Sequence, residues 1–416
     1  MPEDEGQETR HPTTPICIAI CNFSSQWFLI PQGTGIIAVI LHQLEYQFDG
    51  LQIISRIVWV YTIVLLVLCL SIYLVRVFMY PRCVARALRT SMVETSCLAS
   101  ISVTFTTIIE MIALTIAQDW GAGWPIASYV LWWVNTAMAV IAVMGLPYIF
   151  INLQSPGIKA IVPSVLLPLI SALTSSASGG VVCEYSGVGA RLQVPIIIVS
   201  YLEIGISIPL AMAFDDVFVA RLFERESLPM NQVYQDMILC GPFGQASFAL
   251  LALGRVVRSG AFAQYNRGPF LSAEAAIPIG YASQFAGLLS WGYGTFWWGY
   301  AIVSILHTAF KQPGGWRKTR YSLSAWSLVF PWVSVASCVF LSTTNYLTAS
   351  QGRLYQCGSG AREGDGLTCV QGVVDGAASL ASHYMDSESH LYHQRLDHGA
   401  DLLTSVWMAG RPLPGR

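Results

Sequence analysis

The chain has 416 residues, 54% of them hydrophobic and only 11% charged, with a mean hydropathy of +0.54 and a formal net charge of −2. That charge content is less than half the usual soluble value, which excludes a soluble enzyme or a nucleic-acid-binding module and points to a polytopic protein embedded in the lipid bilayer. The net charge itself names no partner, because in such a chain the placement of charges matters more than their sum.

Residues 1–23 carry Glu3, Asp4, Glu5 and Glu8 and lack the basic start and cleavage pattern of a secretory signal. They are expected to be a cytoplasmic tail, with the first apolar segment acting as its own insertion signal. Nine runs of membrane-spanning length follow. They are Ser24–Leu44, Ile53–Phe78, Val93–Ala117, Pro125–Ile151, Pro163–Val182, Val194–Phe214, Met237–Val256, Ala282–Phe310 and Tyr321–Ser342. A short interfacial piece, Ala275 to Tyr281, is expected ahead of the eighth.

Basic residues in the short loops set the orientation. Arg82, Arg86, Arg89, Lys159, Arg221, Arg225, Lys311, Arg317, Lys318 and Arg320 fall on one side, against Arg191, Arg258 and Arg267 on the other. This predicts a cytoplasmic N-terminus.

The spans also alternate in composition. Odd-numbered ones are rich in small and hydroxyl residues: Gly33 and Thr34 in the first, and Ser102, Thr106 and Glu110 stacked at four-residue steps in the third. Ser171, Ser175 and Ser178 lie in the fifth, Gly241, Gly244 and Ser247 in the seventh, and Ser327, Ser334 and Ser337 in the ninth. Even-numbered spans are bulkier, as in Trp132-Trp133 and Trp297-Trp298. Small residues also simply let helices pack closely, but alternation through the whole set predicts an inner ring of odd helices around a water-facing path, within an outer ring that meets lipid. Phe330, sharing a helical face with Ser327, Ser334 and Ser337 and followed by Pro331, would be the bulky obstruction on that path.

No catalytic constellation, nucleotide-binding loop or cofactor motif appears. Five of the ten cysteines fall inside spans. Cys17 and Cys21 have no second ligand pair nearby, and His390, His393 and His398 sit in a polar tail, so no metal site is expected. The protein is expected not to be an enzyme.

Four stretches carry a family resemblance: Pro31-Gln32-Gly33-Thr34-Gly35-Ile36; Tyr129-Val130-Leu131-Trp132-Trp133; Leu228-Pro229-Met230-Asn231-Gln232-Val233 leading to Gly241-Pro242-Phe243-Gly244-Gln245-Ala246-Ser247-Phe248; and Trp326-Ser327-Leu328-Val329-Phe330-Pro331. Over residues 24–342 the chain resembles the tellurite-resistance/dicarboxylate transporter family, which includes plant slow anion channels, fungal malate permeases and fungal sulfite efflux pumps. The second and third stretches look most like the sulfite efflux branch. The resemblance implies an all-α membrane protein of ten helices in five hairpins around a central pore. It also implies odd helices lining the pore, a phenylalanine at the position of Phe330 closing it, and a homotrimer. The expected activity is export of sulfite or hydrogen sulfite across the plasma membrane. Transport of a C4-dicarboxylate such as malate is the alternative, and an inactive relic a third reading.

The resemblance breaks at the tenth helix. After Ser342 no apolar run reaches spanning length, and residues 343–416 are polar and glycine-rich. A frame or gene-structure change near Thr343 is expected to have replaced that helix, with a genuine extracellular extension as the alternative. A Cys357–Cys369 disulfide would suit such an extension.

Overall fold

Apolar segments of twenty or more residues must satisfy their backbone groups internally once water is gone, and helices do this within a single segment. The computed structural model describes residues 15–44, 47–117, 120–121, 123–154, 157, 160–224, 233–311 and 323–332. Among them the regular structure is helical. The α-helices are α1 (Pro15–Cys21), α2 (Leu29–Gln43), α3 (Leu51–Met79), α4 (Pro81–Thr90), α5 (Met92–Ser96), α6 (Ala99–Thr115), α7 (Gly123–Ile149), α8 (Leu167–Tyr185), α9 (Ala190–Phe223), α10 (Gly241–Val256), α11 (Phe262–Tyr265) and α12 (Ala273–Lys311). Tighter 3-10 turns, Ser25–Phe28, Pro163–Leu166 and Val233–Cys240, lead into α2, α8 and α10, and another, Leu323–Leu328, opens the last described segment. Ser334, Ser337, the Leu228–Gln232 stretch, residues 343–416 and the tail cysteines and histidines lie outside the described residues.

Among the described residues six helical stretches are long and apolar enough to cross a membrane, and a seventh counts if Pro15–Cys21 and Ser25–Gln43, bent by 75°, form one broken span. The expected span edges shift in places. The sixth span extends to Phe223, and the seventh begins at Val233 and runs on to Tyr265. Ala275–Tyr281 is not a separate interfacial piece. It is continuous with α12, since Pro278 falls in the second turn and interrupts little of the ladder.

Burial separates two layers. The most apolar windows of Pro163–Tyr185 and Val233–Tyr265 are 100% buried and that of Met92–Thr115 is 72%, whereas Leu51–Met79, Gly123–Gln154 and Ala190–Phe223 reach only 22%, 33% and 39%. The inner segments touch in a closed order. α2 packs on α6, α6 on α8 and α8 on α10; the turn before α10 meets Leu323–Leu328, which returns to α2. Each outer helix covers its neighbours, with α3 on α2 and α6, α7 on α6 and α8, α9 on α8 and α10, and α12 on α10. Small residues on the inner helices permit the close approach this ring needs.

The outer helices do not send all their bulk into lipid. Trp132 and Trp297 are each at most 1% exposed, packed inward among the inner helices' side chains. Trp132 donates its indole N–H to the carbonyl of Ser175 (2.9 Å). Lipid-facing positions are taken instead by residues such as Val64, Val67, Ile141 and Leu202.

The first inner segment is anchored at its start by a buried polar knot. Arg76 and Glu94, both nearly inaccessible, form an ion pair of 2.5 Å. The second Glu94 oxygen accepts from Ser24 Oγ (2.5 Å) and the Ser25 amide (3.0 Å), and Arg76 Nε donates to the Cys21 carbonyl (3.1 Å). With these extra bonds the buried charges are satisfied rather than isolated.

Candidate functional site

Between the inner segments lies a small cavity of about 20 Å³. Its walls are Ile36, Val39 and Gln43 from α2, Thr106, Thr107 and Glu110 from α6, Thr174 from α8, Gln245 and Phe248 from α10, and Phe330 from the last described segment. Each of the five inner segments contributes, and no outer helix does. Glu110 is the one ionisable side chain among these residues, and no Lys, Arg or His of the described residues reaches the wall.

The three threonines are held by their own helices. Thr106 Oγ donates to the Ser102 carbonyl (3.0 Å), Thr107 Oγ to Thr104 (2.8 Å) and Thr174 Oγ to Ser171 (2.9 Å). Thr106 Oγ also accepts from Asn135 Nδ2 of α7 (2.8 Å). As they stand, these hydroxyls offer lone pairs to the cavity, and a bound anion would draw the protons over by rotating them. The Glu110 carboxyl, 5% exposed, has no hydrogen-bond partner among the described residues. Phe330 is 2% exposed and packs with the cluster containing Ile170, Leu169 and Phe243.

Two glycines bring the last segment close. A Cβ on Gly33 would come 3.0 Å from the Trp326 ring and 3.4 Å from Val329 Cβ, and one on Gly241 would come 2.9 Å from Ile170 Cδ1 and 3.8 Å from Pro331 Cβ. Gly33 has no room for a side chain without displacing the segment that carries Phe330, whereas at Gly241 it is the Ile170 side chain that would have to move.

Of the residues singled out in the sequence, Thr106, Glu110 and Phe330 lie on the cavity wall. Others turn outward. Ser102 Oγ donates to Asn135 Oδ1 (3.0 Å) and Ser175 Oγ pairs with Thr136 Oγ (3.0 Å), both on α7. Thr34 Oγ receives a hydrogen bond from Thr62 of α3 (3.1 Å). Ser171 caps back onto Pro168, and Ser178, Ser247 and Ser327 are buried off the wall. Gly244 and the Ser247 carbonyl face α12, where added Cβ atoms on Gly294 and Gly287 would come within 3.4 Å and 3.2 Å of them.

The side chains missed are Ile36, Val39, Gln43, Thr107, Thr174, Gln245 and Phe248. At about 100° per residue, Glu110 lies between Thr106 and Thr107, about 40° from one and about 60° from the other, while Ser102 lies about 80° away from it. The Thr106-Thr107 pair, rather than the four-residue stack, was the usable signal.

The family model described as voltage-dependent anion channel matches residues 22–353, a stretch that includes every wall residue of the cavity. The chain belongs to the voltage-dependent anion channel family. This bears out the relationship expected from the motifs. A sulfite efflux pump of Arthroderma benhamiae is 28% identical over 329 residues, covering 79% of this chain and 83% of that one. A sulfite efflux pump of Trichophyton rubrum is 27% identical over the same length. A malic acid transport protein of Schizosaccharomyces pombe is 24% identical over 331 residues, 79% of this chain and 72% of its own. These relatives are named as transport proteins, and with six or seven apolar helices of spanning length among the described residues the chain is a multi-pass membrane protein of an anion channel and transporter family.

Proposed function

We propose that this protein exports a small oxyanion, sulfite or hydrogen sulfite, across the plasma membrane, through a central path closed by the ring of Phe330. The observation that carries the reading is the cavity to which all five inner segments contribute and whose lining includes Phe330. The similarity to sulfite efflux pumps over four-fifths of the chain supports sulfite as the substrate. A C4-dicarboxylate is the second reading, supported by the similarity to the malic acid transport protein.

Selection needs no buried cation. The hydroxyls of Thr106, Thr107 and Thr174 and the Gln245 side chain hold an anion weakly, and weak holding permits release. A proton on Glu110 turns the one carboxyl in the cavity into a hydrogen-bond donor to the oxyanion, whereas the ionised form repels it. With the N-terminus cytoplasmic, a monovalent anion leaving a negative interior gains about 2.3 kcal/mol per 100 mV.

The test is expression in sulfite-sensitive cells, with growth on sulfite compared against uptake of labelled malate. Restored growth without malate uptake supports the sulfite reading. Malate uptake without sulfite resistance replaces it with the second.

A further inference from the structure

Outside the cavity, one group of nucleophilic side chains is drawn together by the fold. The thiols of Cys21, at the end of α1, and Cys83, in the first turn of α4, lie 3.7 Å apart although 62 residues separate them in sequence. Cys83 is exposed and Cys21 half-buried, whereas Cys69, Cys97, Cys183 and Cys240 are enclosed within spans. Cys17, one turn before Cys21, has its thiol against the Tyr80 hydroxyl instead.

We propose that Cys21 and Cys83 are a reversible dithiol–disulfide pair, a modification site for hydroperoxides that ties α1 to α4. The accessible Cys83 thiol attacks the peroxide O–O bond, giving a sulfenic acid and releasing an alcohol or water. The Cys21 thiol then attacks that sulfur, forming the S–S bond and releasing water, so two thiols lose two electrons and two protons to one peroxide. Closing 3.7 Å to the ~2.05 Å of a disulfide needs about 1.7 Å of approach, within reach of side-chain rotation and a small shift of the seven-residue α1.

The position gives the bond something to act on. Cys21 is three residues ahead of Ser24, where the chain bends by 75° into the first inner segment, and its carbonyl is already held by Arg76. A covalent link there adds a second tie to the corner that the Arg76–Glu94 pair fixes.

Full-length protein in membranes is exposed to hydrogen peroxide, blocked with an alkylating agent and digested with trypsin without reduction. Cleavage after Arg82 and Arg86 isolates Cys83 in peptide 83–86, while Cys21 falls in peptide 11–56. The expected result is loss of free alkylated 83–86, its appearance joined to 11–56, and its recovery with a thiol reductant. The link persists in Cys17→Ser and disappears in Cys21→Ser. No joined peptide in the oxidised wild type, or a link undiminished in Cys21→Ser, overturns the proposal.

Discussion

Replacing Phe330 by alanine tests the closed path most directly. The ring is 2% exposed and packed among Ile170, Leu169 and Phe243 while bordering the cavity. For an anion to pass, the ring must swing into neighbours that already fill their space, and forcing a packed core in this way costs roughly 1–3 kcal/mol. Removing that step raises flux by roughly 5- to 150-fold, since about 1.4 kcal/mol is tenfold in rate. The same substitution removes core packing, about 3–5 kcal/mol in a filled interior and toward the lower end where a cavity already adjoins. Anion flux is therefore measured in reconstituted liposomes and normalised to folded protein, with Phe330→Leu as a less disruptive companion of intermediate effect. Unchanged flux in well-folded Phe330→Ala would refute the steric argument.

Three further substitutions probe the rest of the site and its frame. With a test anion that does not itself titrate over the range, Glu110→Gln should give a flux independent of pH, whereas the wild-type flux should fall as pH rises and the carboxyl loses its proton; parallel pH profiles would remove Glu110 from the path. Ser102→Ala should lower stability by about 1 kcal/mol through the lost Asn135 hydrogen bond and leave the ratio of sulfite to malate flux unchanged. A changed ratio would put Ser102 back on the wall. Arg76→Leu should destabilise the detergent-solubilised protein by about 3–5 kcal/mol by leaving Glu94 buried without its partner, and Arg76→Leu with Glu94→Leu should recover much of the loss. Equal melting of the single and double variants would contradict the coupling.

The two-layer arrangement was legible because burial demands small residues where helices crowd, and Gly33, Ser171 and Gly241 stand out against Val64 or Ile141. Which face of each inner helix meets the cavity was not legible from hydroxyl content. A serine in a membrane helix satisfies itself equally well against a neighbouring helix, as Ser102 and Ser175 do with α7. The aromatic Trp132 misled in the opposite sense, since its size suggested lipid while its indole N–H required a buried acceptor. Gln245 and Thr174 carried no periodic signal, because each wall takes only one to three residues from its helix.

That division has an evolutionary consequence. Five separated stretches of sequence each own a small part of one chamber. A single codon change in any of them can alter the chamber's chemistry while nine of its ten lining residues stay put, so a shift between anions of different size or charge asks for point substitutions rather than a new scaffold.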